Sequence, residues 1–246
     1  MLQESTLRPL NHKTLPLGRV EIKKLITRQI KSLQNTALLD YLESRKINLE
    51  IAKKYCKEIY FKNTENDKNY FAISFTNDSG AYEIRNKYHQ GIIGSKDITS
   101  IYENTEDSRN PKSNKLSVFE GFMDFLSYKS DKNSHSENSQ GGNSPGGENT
   151  SGEDFIILNS VSLVNKFLSN IKNQNMGEVT VYGNTHKVES KLNIELNLDN
   201  DTAGNVATQK IIEELSNQNI QITDKRHLYS GYKDYNEYLC SKHNQK

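Results

Sequence analysis

Glu120, Asp199 and Asp201 are the residues whose types and settings could do chemistry. They follow apolar runs suited to buried strands, Leu116–Phe119 and Ile194–Leu198, and helix-like stretches come after them. In a parallel α/β sheet such strand ends open into one crevice, where ligands bind. Carboxylates gathered there suit a divalent cation such as Mg²⁺, which takes a few carboxylate oxygens and completes its shell with water or phosphate. The chemistry in outline is phosphoryl transfer, in which metal neutralises charge on the leaving group. Asp124, one helical turn beyond Glu120, shares its face and supports it. An Asp-x-Asp pair alone is more often a solvated loop. Here Leu198 before the pair and Ala203-Gly204 after it mark a strand end and a helix start where backbones pack closely.

Carboxylates so placed need a sheet to hold them. Candidate strands are Leu116–Phe119, Phe155–Leu158, Val179–Tyr182, Ile194–Leu198 and Ile220–Thr223, and candidate helices are Gly121–Tyr128, Val161–Asn173 and Ala203–Asn217. This alternation predicts a mostly parallel sheet covered by helices over residues 116–246. Within it, residues 130–152 are almost wholly Ser, Asn, Gly and charge. Such a stretch cannot bury enough apolar surface to offset its ordering entropy, and it reads as a disordered insertion.

The upstream half has a different pattern. Residues 1–19, with Pro9, Pro16 and Gly18, form an irregular lead-in. Ile22, Leu25, Ile26, Ile30 and Leu33 follow helical spacing and predict a helix over 20–33. Ala37, Leu38, Tyr41 and Leu42 predict a second, and Asn48 caps a third with Leu49, Ile51, Ala52 and Tyr55 inward. Asn69–Thr76 alternates, turns through Asn77-Asp78-Ser79-Gly80 and returns over Ala81–Arg85, a hairpin pattern. The expected fold is therefore α/β, a mostly parallel sheet flanked by helices preceded by a helical and antiparallel α+β region over 20–115.

The 246 residues carry a net charge of only +1, unevenly spread. Residues 1–115 hold 20 Lys/Arg against 14 Asp/Glu, whereas residues 116–246 hold 12 against 17. A basic half beside an acidic half suits a protein that holds a polyanion next to a metal site, although ordinary solvated surface gives the same count. Arg85, Lys87 and Lys96 are candidates for phosphate contact, and Tyr82 and Tyr88 for base stacking. Cys56 and Cys240 stand alone, which excludes a local zinc finger and a disulfide framework and fits a reducing, cytoplasmic setting. No apolar run is long enough to cross a membrane and the N-terminus lacks a secretory pattern. A Walker glycine loop, a dinucleotide fingerprint and a Ser/His/Asp pattern are all absent.

Glu-Gly-Phe-Met-Asp at 120–124, with Asp-Asn-Asp-Thr-Ala-Gly at 199–204, resembles the Toprim domain shared by bacterial primases, topoisomerases and some nucleases. The bacterial primase version is most similar, above all the primase-like proteins of Bacteroidetes-type mobile elements. Gly231–Leu239 is similar to the acidic segment that closes the primase metal site, and Ala37–Ile47 is similar to its Tyr-Leu-x-x-Arg-Gly-Ile stretch. The resemblance spans roughly residues 36–240 and implies a Mg²⁺- or Mn²⁺-dependent primase-type nucleotidyltransferase. Its partners would be single-stranded DNA, nucleoside triphosphates and a helicase or relaxase of the element. Asp199 and Asp201 would anchor metal with Asp234 in a second position, Glu120 would bind metal or relay a proton, and Asp124 would complete the metal-binding set. The sequence departs from the pattern in lacking a Cys/His module, so no zinc is expected and the chain reads as a short relative or truncated product. It departs again at Asn200, and at Asn236, where a second acid is common. These departures favour a non-catalytic nucleic-acid-binding accessory protein as an alternative, and a Toprim metal-dependent nuclease is another.

Overall fold

The computed structural model describes residues 25–103, 114–138, 152–175 and 192–244. Two five-stranded sheets share a core. Sheet A is antiparallel, in the order β1 (Leu25–Ser32), β2 (Lys57–Asn63), β3 (Lys68–Thr76), β4 (Tyr82–Arg85) and β5 (Gln90–Ile93). The helices α1 (Thr36–Ser44) and α2 (Leu49–Tyr55) lie between β1 and β2 in the chain, each opened by an Asn cap, Asn35 and Asn48. These Asn side chains accept from otherwise unpaired first-turn N–H groups, the usual reason for Asn at that position.

Sheet B runs β10 (Ile220–Asp224), β9 (Leu192–Asn197), β7 (Lys115–Phe119), β8 (Glu153–Ile157), β6 (Thr99–Ile101). The first four are parallel and β6 is an antiparallel edge. Successive side chains on a strand point to opposite faces, and β7 shows it. Phe119 packs with α3 (Phe122–Asn138) and sheet A, whereas Val118 packs with α4 (Val164–Asn175) and α5 (Thr202–Leu215). The parallel strands, buried on both faces, therefore read as apolar runs. Phe75 of β3 stacks on Phe122 of α3, ring centroids 5.1 Å apart, so sheet A is fixed against sheet B by the helix that follows Glu120.

Expectation and structure part company in places. The helix expected over 20–33 is strand β1 from Leu25 onward. A bulge between Thr27 and Gln29 puts Leu25 and Ile30 on one face, where both pack against Ile59, Phe61 and Ile84. That irregular spacing imitates a helical period. The helix expected to end at Tyr128 continues to Asn138, so 130–138 of the expected disordered insertion is helical. Polar contacts from distant segments hold it: Asn48 N–H donates to Ser130 Oγ (2.9 Å), and Lys242 Nζ and Tyr235 OH donate to the Asp131 carboxylate. β6, from the segment expected to be N-terminal, completes sheet B. The expected lead-in and the expected strand Val179–Tyr182 lie outside the described residues.

Candidate active site at the switch point of sheet B

From β7 the chain passes to β8 on one side, then crosses to β9 on the other. The crevice between the C-terminal ends of β7 and β9 is thus the topological switch point, where open α/β sheets bind ligands. Glu120 follows β7 directly and Asp199 lies two residues beyond β9, with the Asp199 N–H 3.4 Å from Glu120 Oε2. Asp124 enters from the first turn of α3, and Asp234 from the segment before α6 (Tyr235–Asn244). These four carboxylates line one crevice of about 190 Å³. Its opposite wall comes from sheet A, with Glu83, Arg85 and Gln90, and from Arg45 at the end of α1.

Local backbone chemistry fixes each group. Gly204 is required because a Cβ there would stand 2.1 Å from the Asp199 carbonyl oxygen, so the Asp199 loop lies directly on the start of α5. Asp201 caps that helix, accepting from Gly204 N–H at 2.9 Å. Asn200 N–H donates to the Lys233 carbonyl (2.6 Å), and its amide donates to the Tyr229 and Tyr232 carbonyls. Asn200 thereby ties the Asp199 loop to the segment bearing Asp234. Asn236 lines the crevice and steadies its edge: its amide nitrogen donates to the Arg45 carbonyl (2.8 Å) and Ser127 Oγ (2.7 Å), and its N–H donates to Asp124 Oδ1. Arg45 itself sits in a Schellman turn, with Ile47 N–H donating to the Leu42 carbonyl, Lys46 N–H to that of Glu43, and Lys46 at φ 59°.

The carboxylates crowd one another. Burial, then the Asp199 charge, pushes Glu120 up to about 7, partly opposed by the Asp199 N–H and Lys233. Burial, then Asp234, raises Asp199 to about 6, and the same two causes, with Asp199, drive Asp124 well above the ordinary carboxylate range. The nearest cation is Lys233, whose Nζ lies 3.6 Å from Asp199 Oδ2. Among the described residues no three acidic, His or Cys side chains converge closely enough to grip a cation as they stand. The donor set nonetheless suits a hydrated hard cation. Buried polar atoms are nearly always paired, yet six among the described residues lack a partner, and four of them belong to this crevice: Arg45 Nε, Glu83 Oε1, Asn159 Oδ1 and Asn236 Oδ1. Three are acceptors beside carboxylates, the lining that a cation carrying donor waters requires.

Of the residues marked out by sequence, Glu120, Asp124, Asp199, Asp234 and Arg85 come together in the crevice. Arg85 is braced there, its Nε donating to Tyr41 OH at 3.2 Å and its Nη1 to Gln90 Oε1. Asp201 is not among the lining residues, and one of its carboxylate oxygens is committed to the cap of α5. Lys87 lies in the exposed β4–β5 turn and Lys96 in the exposed loop after β5, both outside the lining. Arg45, Glu83, Asn159 and Lys233 were not singled out as site residues. Lys233 had a signal in its place beside Asp234; Glu83 had only strand alternation, which cannot tell a crevice from open solvent.

A family model described as Toprim-like matches residues 117–239, half of the chain and the stretch that carries Glu120, Asp124, Asp199 and Asp234. The chain belongs to the Toprim-like family. In this Toprim-like chain, residues 27–94, sheet A with α1 and α2, match a second family described as a domain of unknown function (DUF8464). A search among curated proteins finds no match. Two solved structures from bacteriophage T7 are similar to the Toprim-like chain at 16% identity. The primase fragment of its primase-helicase protein matches over 83% of this chain and 69% of its own, with a TM-score of 0.46. The lagging-strand DNA polymerase interacting with primase domains bound to an RNA/DNA hybrid and dTTP matches over 83% and 86%, with a TM-score of 0.49. Among the described residues no helix is long and apolar enough to cross a membrane.

Proposed function

We propose that the chain is a Mg²⁺-dependent, primase-like nucleotidyltransferase that joins nucleotides on single-stranded DNA. The observation that carries this reading is the crevice itself, with four carboxylates on its floor, Arg45, Arg85 and Lys233 around it, and unpaired polar atoms collected within it. Glu120, Asp124, Asp199 and Asp234 are the residues that would hold Mg²⁺ or Mn²⁺. Bound there, the metal would supply charge neutralisation for a triphosphate and its pyrophosphate leaving group. Arg45, Arg85 and Lys233 would orient the phosphate oxygens, a positioning role that dominates phosphoryl transfer. Glu120, beside the site of attack, is the group placed to accept a proton from an attacking hydroxyl where it does not itself hold the metal. The likeness of its motifs to primase-like mobile-element proteins supports replication or mobilisation as the setting, in the cytoplasm, with a helicase or relaxase as partner.

A second reading, a non-catalytic nucleic-acid-binding accessory protein, is favoured by Asp201, which is held to the α5 cap, and by Lys233, which pairs with Asp199. One experiment separates them. Incubated with single-stranded DNA, ribo- and deoxyribonucleoside triphosphates and Mg²⁺ or Mn²⁺, the enzyme should make short oligonucleotides, and Glu120→Gln should abolish them. Intact DNA binding without product supports the accessory protein, and degradation of the template supports a Toprim nuclease.

A further inference from the structure

Glu83 is a carboxylate of the crevice that the metal chemistry does not use. It lies on β4 opposite Phe75 of β3 and Ile92 of β5, two apolar partners, and lines the crevice on the wall facing the Toprim carboxylates. Its Oε1 is shielded from water and has no hydrogen-bond partner. Burial raises it to about 7, opposed by a hydrogen bond from the Asn77 side chain to the carboxylate and by the Lys96 charge. A half-buried carboxylate with one oxygen unpaired carries a desolvation cost, and its two cross-strand partners are apolar. A polar group set against the local apolar pattern and facing a crevice marks a candidate functional position.

We propose that Glu83 recognises the sugar of a nucleoside triphosphate held in the crevice, its carboxylate accepting a hydrogen bond from a ribose hydroxyl. This rests on the nucleotidyl-transfer reading above and adds a residue that selects the substrate. The placement supports it. Arg45 and Arg85 stand on the same wall as Glu83, and Lys233 stands by Asp199 across from it. With phosphates drawn to those cations and to metal at Glu120 and Asp199, the sugar, the group bonded next to the phosphates, is the nearest part of the nucleotide to offer hydroxyl donors toward sheet A. Arg45 Nε, also unpaired, offers the complementary donor for an acceptor on the same ligand. Rotation about χ3 exchanges the two Glu83 oxygens, so either can be presented. A carboxylate accepting a ribose hydroxyl is the solution dinucleotide-binding sites use. A site built around such a bond rejects the analogue that lacks the hydroxyl, because the acceptor is then left unpaired.

The test is equilibrium binding of ATP, 2′-deoxy-ATP and 2′,3′-dideoxy-ATP in Mn²⁺, with a single-stranded oligonucleotide present, to wild type and Glu83→Leu. Wild type should bind ATP at least about tenfold more tightly than dideoxy-ATP, the span of a hydrogen bond to a charged group. The deoxy arm shows which hydroxyl is read. In Glu83→Leu the ratio should fall to about one, through weaker ATP binding alone, with an unchanged circular dichroism spectrum. A merely structural Glu83 would leave the ratio unchanged, and that result overturns the inference. Equal binding of all three nucleotides by wild type overturns it too, and leaves the nucleotidyl-transfer reading standing. Wild type that binds Mn²⁺ but no nucleotide refutes that reading, and the inference falls with it.

Discussion

Raising pH from 4.5 to 7.5 in the presence of a chelator should destabilise this protein, contrary to the trend set by paired carboxylates. Glu120 and Asp199 are raised to about 7 and about 6 by burial and by neighbouring acids. A carboxylate whose pKa is higher folded than unfolded holds more protons in the folded state between the two values. Its stabilisation is complete below the unfolded pKa and is lost as pH climbs through the folded one, here between about 4 and about 7. Each pKa unit corresponds to about 1.4 kcal/mol, but both groups keep contact with water, and screening reduces their joint effect to about 2 kcal/mol. Glu58, Glu103 and Asp224 are shifted downward, so their contribution is already complete above about pH 4.5. Urea unfolding at several pH values gives the slope directly. The double variant Glu120→Gln/Asp199→Asn should lose about 2 kcal/mol of the decline across the window, and millimolar Mg²⁺ should flatten the wild-type curve by supplying the missing positive charge. A wild-type stability that holds or rises from pH 4.5 to 7.5, with the same slope in the double variant, would refute the claim that these carboxylates strain the crevice.

Other expectations follow from single positions. Lys46 holds a left-handed conformation at the end of α1; Lys46→Gly should stabilise by about 1 kcal/mol, read as a higher urea midpoint. Gly204→Ala would set a methyl 2.1 Å from the Asp199 carbonyl; it should cost at least about 2 kcal/mol and weaken Mn²⁺ binding through the displaced loop. Charge reversal of Arg85 together with Lys87 should weaken single-stranded DNA binding and reduce the log–log salt slope by about 1.4, the release expected for two phosphate contacts. An unchanged slope would leave both as solvated surface.

What the sequence made legible divides along physical lines. β7 and β9 are buried on both faces, so Leu116–Phe119 and Ile194–Leu198 stand out as apolar runs, and the acids that end them were visible at once. Gly204 was visible for a similar reason, since only a residue without Cβ tolerates the Asp199 carbonyl so close. β1 was not, because its bulge breaks the two-residue period. The far half of α3 was not, because what orders Ser130 and Asp131 comes from Asn48, Tyr235 and Lys242, about 80 to 110 residues away. Asp201 was assigned to metal by its spacing from Asp199, although Asp before Thr202-Ala203 is equally a helix-cap signature. Glu83 and Arg45 join the crevice only when sheet A is placed against the ends of β7 and β9. That placement depends on Phe75, Phe122 and their neighbours and on no local pattern.

The central claim is that Glu120, Asp199 and their neighbours form a divalent-cation site. Titration of Mn²⁺ into the protein, followed by the loss of the free-ion paramagnetic resonance signal, tests it most directly. Wild type should bind Mn²⁺, more tightly when nucleoside triphosphate is added, and Asp199→Asn and Glu120→Gln should each weaken binding at least about tenfold with an unchanged circular dichroism spectrum. Wild-type affinity for Mn²⁺ in both variants would contradict the account.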